Sequence, residues 1–555
     1  MCYNIIIKYY LILGGLCLDK IRIKNLRSLQ DTGNIEIKPL TLLVGKNSSG
    51  KSTFLRFFPL MKQTLETRTN EPILWYSSRY VDFGSFKESL NFKKKDETIG
   101  FEFDFQVPKL YAIFDMFRTP IRRYIYPASY DELEGEYFSF NVDIECAEKF
   151  LKSVFIKFED HTIQLEFKNN SKITKLIIND KEYDSNLFFP AYFKDSSNIL
   201  PRVLVNGMEK ERDLGGFITA DMYFSDKLYK VFKSLAFGNT SKETIKAVID
   251  KIALGSSEEI FGSMNKLESR AKKLIKGLKQ IKMEDELFEE IKNYLIGIYL
   301  NKIITVCNKY FELSFSSINY IAPLRASAER YYRIQGLSVD EIDPQGTNIP
   351  MMIHNMSKKD QQSFISWTKE CFNFEIISTL EGGHTSLKLK YDNDSDVINL
   401  ADTGFGYSQL LPIILVMWQA INLNSRNQTA NNSRLINRYV KKFEESIQTI
   451  VIEQPELHLH PALQAKLIDT FVQIIMKSQE MDMNIKIIIE THSETMLNRI
   501  GYLIAKKRYS IDANLVNVVI FNKKDTYHSN VDITGYDEKG RLISWPIGFF
   551  SPEDL

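Results

Sequence analysis

The residues with the most explicit chemistry lie near the start of the chain, in Gly45-Lys46-Asn47-Ser48-Ser49-Gly50-Lys51-Ser52-Thr53, a G-x-x-x-x-G-K-S pattern. Glycines at the first and sixth positions let successive backbone N–H groups wrap phosphate oxygens, and a helix starting at Lys51 would add its positive N-terminus. The Lys51 ammonium has the reach for β- and γ-phosphates, the Ser52 hydroxyl can ligate Mg²⁺, and Thr53 is placed to touch the α-phosphate. About 400 residues later the other half of such a site is expected, in Glu453-Gln454-Pro455-Glu456-Leu457-His458-Leu459-His460-Pro461. An acid at the tip of a buried strand, here Glu453, would hold Mg²⁺ through water. Further on, Glu490-Thr491-His492-Ser493-Glu494 offers His492 as a hydrogen-bond donor to a γ-phosphate, and Asp402-Thr-Gly404-Phe-Gly406-Tyr-Ser408-Gln409 sets two glycines and Ser408 at a helix start, another anion-binding device.

Elements of definite type must carry these residues. Leu40 to Val44 (LTLLV) has the length and continuous apolarity of a buried strand running into the first loop, with a helix from Ser52 to about Gln63 behind it. Gln448 to Ile452 and Ile485 to Ile489 repeat the buried-strand pattern before each acidic tip, separated by a helix over Ala462 to Lys477. An apolar helix, Leu410 to Ile421, follows the glycine turn. Leu18 to Leu29 alternates like a half-buried strand and a second strand, Asn34 to Ile37, follows the turn at Asp31-Thr-Gly33. The fold class expected is α/β, a P-loop head of mixed sheet and helices.

The chain has 555 residues, too many for one core. Its 44% hydrophobic and 25% charged composition excludes disordered, collagen-like and disulfide-scaffold classes. With Lys and Arg totalling 71 against 70 Asp and Glu, no bulk positive field advertises nucleic acid. Five scattered cysteines without a CxxC pair fit reduced cytosolic thiols. The apolar run Tyr3 to Leu18 falls short of the ~20 residues of a membrane span and reads as an upstream extension or an extra edge strand, so a cytoplasmic protein without a membrane partner is expected. His458 and His460 resemble a metal pair but have no companion ligands at suitable spacing. Trp367 with Phe364, Phe372 and Phe374 reads as core.

Between the two halves lies an insertion. From Thr98 to about Leu187, segments such as FEFDFQV, EYFSFNVDI and TIQLEF alternate as antiparallel strands; from about Met208 to Ile318 the period turns helical. Four regions are therefore expected: 1–97, the N-terminal half of the head with the P-loop; 98–207, strand-rich; 208–318, a helical lid or docking region; and 319–555, the C-terminal half. Within the helical region, Lys266 to Lys282 carries seven basic residues and one acid. It is a solvated helix face or a surface for nucleic acid or an acidic partner.

Together the motifs GKNSSGKST, DTGFGYSQLLP, IVIEQPELHLHP and IETHSE, in this chain order, resemble the AAA-type, OLD-like P-loop ATPases of the ATP-binding-cassette class found in bacterial antiphage defence. Tyr320-Ile-Ala-Pro-Leu-Arg325 and the tail from Asp537 to Phe550 add weaker matches. The resemblance implies ATP and Mg²⁺ as cofactors and a homodimer or higher oligomer in which Gly404, Gly406 and Ser408 of one protomer cap the γ-phosphate held by the other. It also implies a glutamate after Glu453 to polarise the attacking water. That position is Gln454, which orients water but cannot accept its proton, so hydrolysis is expected to be slow or regulated unless Glu456 substitutes. The loop that usually couples the nucleotide to a partner offers Asp82, within Tyr80-Val-Asp82-Phe-Gly84, as an additional metal-side candidate.

OLD-type nucleases continue into a nuclease domain, whereas only 63 residues follow His492. The resemblance therefore extends to the ATPase component of Septu-type systems, including retron-associated ones. It implies a separate HNH-type nuclease partner and, in the retron versions, a reverse transcriptase with its RNA/DNA product. The function so expected is an ATP-binding subunit that controls that nuclease. The alternative is a stand-alone DNA-linked ATPase of repair or chromosome maintenance, using Lys266 to Lys282 on DNA; an ABC transport subunit is disfavoured by the missing coupling glutamine and the large insertion.

Overall fold

In a computed structural model the chain is described over residues 19–69, 71–93, 98–109, 111–112, 136–192, 198–206, 218–334, 341–391, 396–422, 443–525 and 528–545. The apolar run Tyr3 to Leu18 and the tail beyond Trp545 lie outside them. Two compact units emerge, one of residues 1–63, 74–95 and 313–555, the other of 64–73 and 96–312. The strand-rich and helical stretches expected as separate regions thus fall in one unit.

The first unit is built on a six-stranded sheet. In chain order its strands are β1 (Leu40–Gly45), β2 (Ile318–Ile321), β3 (Ile447–Glu453), β4 (Asn484–Glu490), β5 (Val516–Asp525) and β6 (His528–Thr534). Their spatial order is β2-β3-β4-β1-β5-β6, all parallel except β6, which folds back on β5. Helices α1 (Lys51–Glu66), α2 (Phe405–Asn422), α3 (Pro461–Glu480) and α4 (Glu494–Ala505) accompany it. Strands covered on both faces need apolar residues on both, which is why LTLLV and IVI are unbroken runs. Leu40, Leu42, Val44, Ile450, Ile452, Ile487 and Ile489 share one core with residues of α2, α3 and α4. The intervening positions face the other way, where the Phe54 ring of α1 lies 5.8 Å from that of Phe521. Phe364, Phe372 and Phe374 are buried in the first core with Trp367 packed against it.

The stretch read as one strand from Leu18 to Leu29 is a tight hairpin instead, Lys20–Leu26 against Leu29–Asp31, with Lys24 opposite Asp31. Arg27 turns left-handed at φ 50° between them, a local reversal that alternation alone does not reveal.

In the second unit, strands Ile99–Pro108, Tyr137–Cys146, Leu151–Phe158, His161–Asn169, Lys172–Ile178 and Lys181–Tyr183 form a sequential antiparallel meander. Asn179 and Asp180, both left-handed, make the tight turn before its last strand. Helices Ala220–Leu235, Lys242–Ile249, Ser257–Asn265, Lys272–Gln280 and the 31-residue Glu286–Ser316 follow. The basic segment Lys266 to Lys282 is therefore one short helix, Lys272–Gln280, with non-helical flanks. Tyr310 of the long helix stacks on Phe105 of the meander at 4.0 Å. Closer to its start, Gly297 faces Phe224, whose ring carbon would sit 2.4 Å from an added Cβ. Gly297→Ala is therefore expected to destabilise the protein by about 1–3 kcal/mol through overpacking, read by urea denaturation; an unchanged midpoint contradicts it.

Among the described residues no helix is long and apolar enough to cross a membrane.

Candidate functional site

β1 delivers the chain into the loop Lys46 to Gly50, and α1 begins at Lys51. The loop is possible only with glycine at its ends. A Cβ on Gly45 would lie 2.4 Å from the Phe521 carbonyl oxygen, and Gly50, at φ 96°, would put one 2.7 Å from Leu29 Cδ2. Inside the loop, Lys51 is 3% exposed and its ammonium donates to the carbonyl oxygens of Gly45 at 3.0 Å and Lys46 at 2.9 Å. Burial pulls its pKa down, opposed by Glu490 and Glu456. Ser49 Oγ is buried without a hydrogen-bond partner. A cation resting on its own loop's carbonyls beside an unsatisfied hydroxyl is what a phosphate would satisfy: carbonyl contacts would exchange for stronger charge-assisted ones.

The parallel register of β3 and β4 sets Glu453 directly beside Glu490. The Glu453 carboxylate takes three hydrogen bonds from two side chains. Arg56 forks it, Nε to Oε1 at 2.7 Å and Nη2 to Oε2 at 2.9 Å, and the Tyr320 hydroxyl donates to Oε1 at 2.6 Å. The fork holds the Arg56 guanidinium firmly charged, while burial and Glu453 push the Tyr320 phenol well above its ordinary range. Glu490 has a different setting: the Ser52 hydroxyl donates to its Oε1 at 2.8 Å and Lys51 Nζ lies 4.0 Å away. Burial, then the neighbouring Glu453, raise its pKa to about 7. The carboxylate in contact with Ser52 is thus Glu490, while Glu453, the acid expected to hold Mg²⁺ through water, is bound by Arg56 and Tyr320.

Asp82 is placed in a turn, accepting the Gly84 N–H at 2.7 Å, with its side chain exposed. None of its described contacts reaches Ser52 or Glu453.

Gln454 follows Glu453 in a left-handed conformation, φ 42°, its N–H donating to the Glu490 carbonyl at 2.9 Å. Glu456 accepts from Thr491 Oγ1 at 2.9 Å and from the His492 N–H at 2.8 Å, so its carboxylate fixes the turn that presents His492. Burial raises the pKa of Glu456. The His492 ring is half-buried, and burial and then Lys51 lower its pKa, favouring the neutral imidazole.

The glycine turn opens α2 one turn earlier than the apolar pattern suggests, because helical geometry starts at Phe405. Ser408 therefore lies within the first turn; its hydroxyl donates back to the Phe405 carbonyl at 2.8 Å and is largely buried. Gly404, at φ 79°, has open space around it, and Phe405 is 63% exposed. Gly406 packs on the other motif: a Cβ there would meet the His458 carbonyl oxygen at 2.8 Å.

Five residues with unpredicted roles complete the arrangement: Arg56, Tyr320, Arg325, Gln409 and Glu490. Arg325, 6% exposed, donates from Nη2 to the Glu453 carbonyl at 2.8 Å. Its backbone is held by the Gln409 side chain, which accepts from its N–H at 3.3 Å and donates to its carbonyl at 3.0 Å. The glycine-turn helix and the tip of β3 are thereby strapped together. Arg56 had a sequence signal, four residues after Ser52 and so on the same helical face; Tyr320 and Arg325 stood in a motif without an assigned role.

The divalent cation implied by the P-loop would find hard oxygen donors here. Glu490 Oε2 is buried without a hydrogen-bond partner beside Ser52, so the donor set fits Mg²⁺. Among the described residues no group of three or more His, Cys, Asp or Glu side chains is placed to hold a metal unaided.

Comparison with known proteins follows this geometry. Endonuclease GajA of Bacillus cereus (strain HuB5-5) is 26% identical over 152 residues, 25% of this chain and 20% of that protein. The chain therefore spans about a fifth of that relative's length. The Smc head domain of Pyrococcus furiosus bound to the C-terminal domain of ScpA aligns over 93% of this chain and 96% of its own, with 11% identity and a TM-score of 0.30. The SMC head domain from Thermotoga maritima aligns over 93% and 98%, with 9% identity and a TM-score of 0.31. The AAA ATPase domain model matches residues 17–497, and the chain belongs to that family.

Proposed function

We propose that the chain is the ATP-binding, slowly or conditionally hydrolysing subunit of a cytoplasmic antiphage defence complex that dimerises through its ATP sites and controls a separate HNH-type nuclease. The observation that carries the ATP reading is the P-loop itself, with Lys51 folded onto two loop carbonyls and Ser49 unsatisfied. The defence reading is supported by the likeness to part of GajA and by the order of the four motifs. In a Septu-type complex with a retron, a reverse transcriptase and its RNA/DNA product would join the assembly.

Chemically, the loop amides and Lys51 bind the phosphates, and Ser52 with the β3 and β4 acids would hold Mg²⁺, which when bound neutralises phosphate charge. His492 positions the terminal phosphate and Gln454 orients water. Gly404, Gly406 and Ser408 would complete the site of a second copy, and the exposure of Phe405 beside them suits an inter-protomer contact.

Gln454→Glu is expected to raise steady-state ATP turnover at least about tenfold by supplying a proton acceptor. No increase, together with inactive Glu456→Gln, assigns the base to Glu456. ATP turnover is read by phosphate release, and co-purification with a nuclease from the native operon tests the partner.

A DNA-linked ATPase is the second reading, favoured by one observation: Lys272, Lys273, Lys276 and Lys279 are all exposed on one nine-residue helix, flanked by exposed Lys266, Arg270 and Lys282.

A further inference from the structure

We propose that the exposed Phe237 ring and the lysine face of the helix Lys272–Gln280 form one site for single-stranded nucleic acid, the ring stacking on an unpaired base while the lysines hold phosphates. The inference rests on the DNA-linked reading and sharpens it: it adds an aromatic contact from the end of a different helix and commits the surface to unpaired strands.

The helix Lys272–Gln280 has two unlike sides. Leu274 and Leu278 are buried, and a Cβ added to Gly277 would lie 3.5 Å from Leu235 Cβ, so this side packs closely on the helix Ala220–Leu235. With 3.6 residues per turn, Lys272, Lys276 and Lys279 share an arc of about 60° on the other side, and Lys273 stands at its edge. Among the described residues none of the four has a carboxylate within ion-pair reach. Elsewhere in the same unit lysines pair locally: Lys230 with Asp226 at 2.7 Å, Lys292 with Glu289 at 2.6 Å and Lys309 with Glu312 at 3.0 Å. Lys276 instead has Lys272 four residues before it and Lys279 three after, spacings at which like charges repel. The first turn also holds two lysines and no acid, against the helix dipole. Unpaired cations kept at a cost to their own helix suit an anionic partner.

Phe237 supplies what charge alone cannot. It is 58% exposed, the most exposed large apolar side chain among the described residues of the second unit. Its turn is held in place: the Thr240 N–H donates to the Phe237 carbonyl at 3.0 Å, and the Lys233 ammonium donates to the carbonyls of Gly238 at 2.9 Å and Thr240 at 2.6 Å. Lys273 joins the ring to the lysine face. Its ammonium lies 5.1 Å from the ring centroid and donates to the Ala236 carbonyl at 3.3 Å. A flat ring held in water at the edge of a cationic surface matches an unpaired nucleotide, base to ring and phosphate to ammonium. A duplex keeps its bases stacked on one another, and an acidic peptide brings charge without a flat partner. A lipid surface would need the apolar side of the helix, which is turned inwards.

The test uses the full chain, with and without ATP and Mg²⁺, and reads the anisotropy of a labelled oligothymidylate and of a labelled duplex of the same length. The single strand is expected to bind at least about tenfold more tightly than the duplex at low salt. Phe237→Ala should weaken single-strand binding roughly 5- to 100-fold without changing its salt dependence. Phe237→Trp should keep the affinity, with its emission quenched as the strand binds. The triple variant Lys272→Gln, Lys276→Gln, Lys279→Gln should lower the slope of log affinity against log salt by about 2, since each lost phosphate contact removes about 0.7. It should melt no lower than the parent, because the repulsion leaves with the charges. Duplex bound as tightly as the strand, or single-strand binding untouched by Phe237→Ala or by the triple variant, overturns the inference and leaves the DNA-linked reading standing. An unquenched Phe237→Trp does the same. If neither form of DNA binds, both readings fall. Polyglutamate displacing the labelled strand as effectively as unlabelled oligothymidylate assigns the surface to an acidic protein and overturns the inference as well.

Discussion

Lys51→Ala is expected to weaken ATP binding by at least about 100-fold, the largest single loss any substitution in the loop should cause. Each hydrogen bond from an ammonium to a phosphate oxygen contributes ~1.5–3 kcal/mol, and this lysine has at least two such bonds to make. Without nucleotide, Lys51 already spends two donors on the Gly45 and Lys46 carbonyls, so binding exchanges those contacts for stronger ones. Alanine leaves the loop path intact, because the φ angles that demand glycine belong to Gly45 and Gly50. The variant should therefore fold, melt near the parent without ATP, and show no rise in melting temperature when ATP is added. Calorimetric titration gives the affinity directly; tight binding retained by Lys51→Ala contradicts the phosphate assignment.

The second large effect is on stability. Arg56→Met is expected to cost about 3 kcal/mol in urea denaturation, because the Glu453 side chain, only 3% exposed, is left with Tyr320 as its sole side-chain donor among the described residues. Methionine keeps the length of the arginine stem and removes the charge. Adding Glu453→Gln should return most of the loss, since the buried charge goes with its partner. A double variant no more stable than Arg56→Met places the cost in packing instead.

Much of the nucleotide half was legible because its residues are contiguous. Nine consecutive positions, Gly45 to Thr53, carry strand, loop and helix start together, and the reading of β1, α1, α3 and β4 differs from the observed bounds by a few residues at most. Helix ends were read a little short: α3 starts at Pro461, one residue before the expected Ala462, with His460 as its cap, and runs on to Glu480. The antiparallel meander was legible from its period of two.

What escaped depends on neighbours far apart in sequence. Whether Glu453 or Glu490 meets Ser52 is set by the strand order β3-β4-β1, and each of the two strands ends in an acid after an equally apolar run. Nothing local distinguishes them. Arg56 looked like one more polar residue on a helix until β3 brought Glu453 to it, and Arg325 gained meaning only through the Glu453 carbonyl and Gln409. Asp82 shows how one residue type serves two ends: its acidic side chain suggests metal chemistry, and an aspartate two residues before a glycine is also a common turn former, the contact it makes with the Gly84 N–H.

The same strand order has a consequence for biosynthesis. Leu40 pairs with Ile487 on one side and Val516 on the other, so both partners of the P-loop strand are made more than 400 residues after it. At about 5–20 residues per second, a ribosome needs roughly 20 to 90 s to reach them. Throughout that interval LTLLV is an unpaired apolar strand, while the meander of the second unit, whose strands pair in sequence, can assemble as it emerges. The chain should therefore be a strong client for chaperones during translation, and nascent chains arrested before Asn484 should have no ATP-binding capacity, which arrives late and all at once.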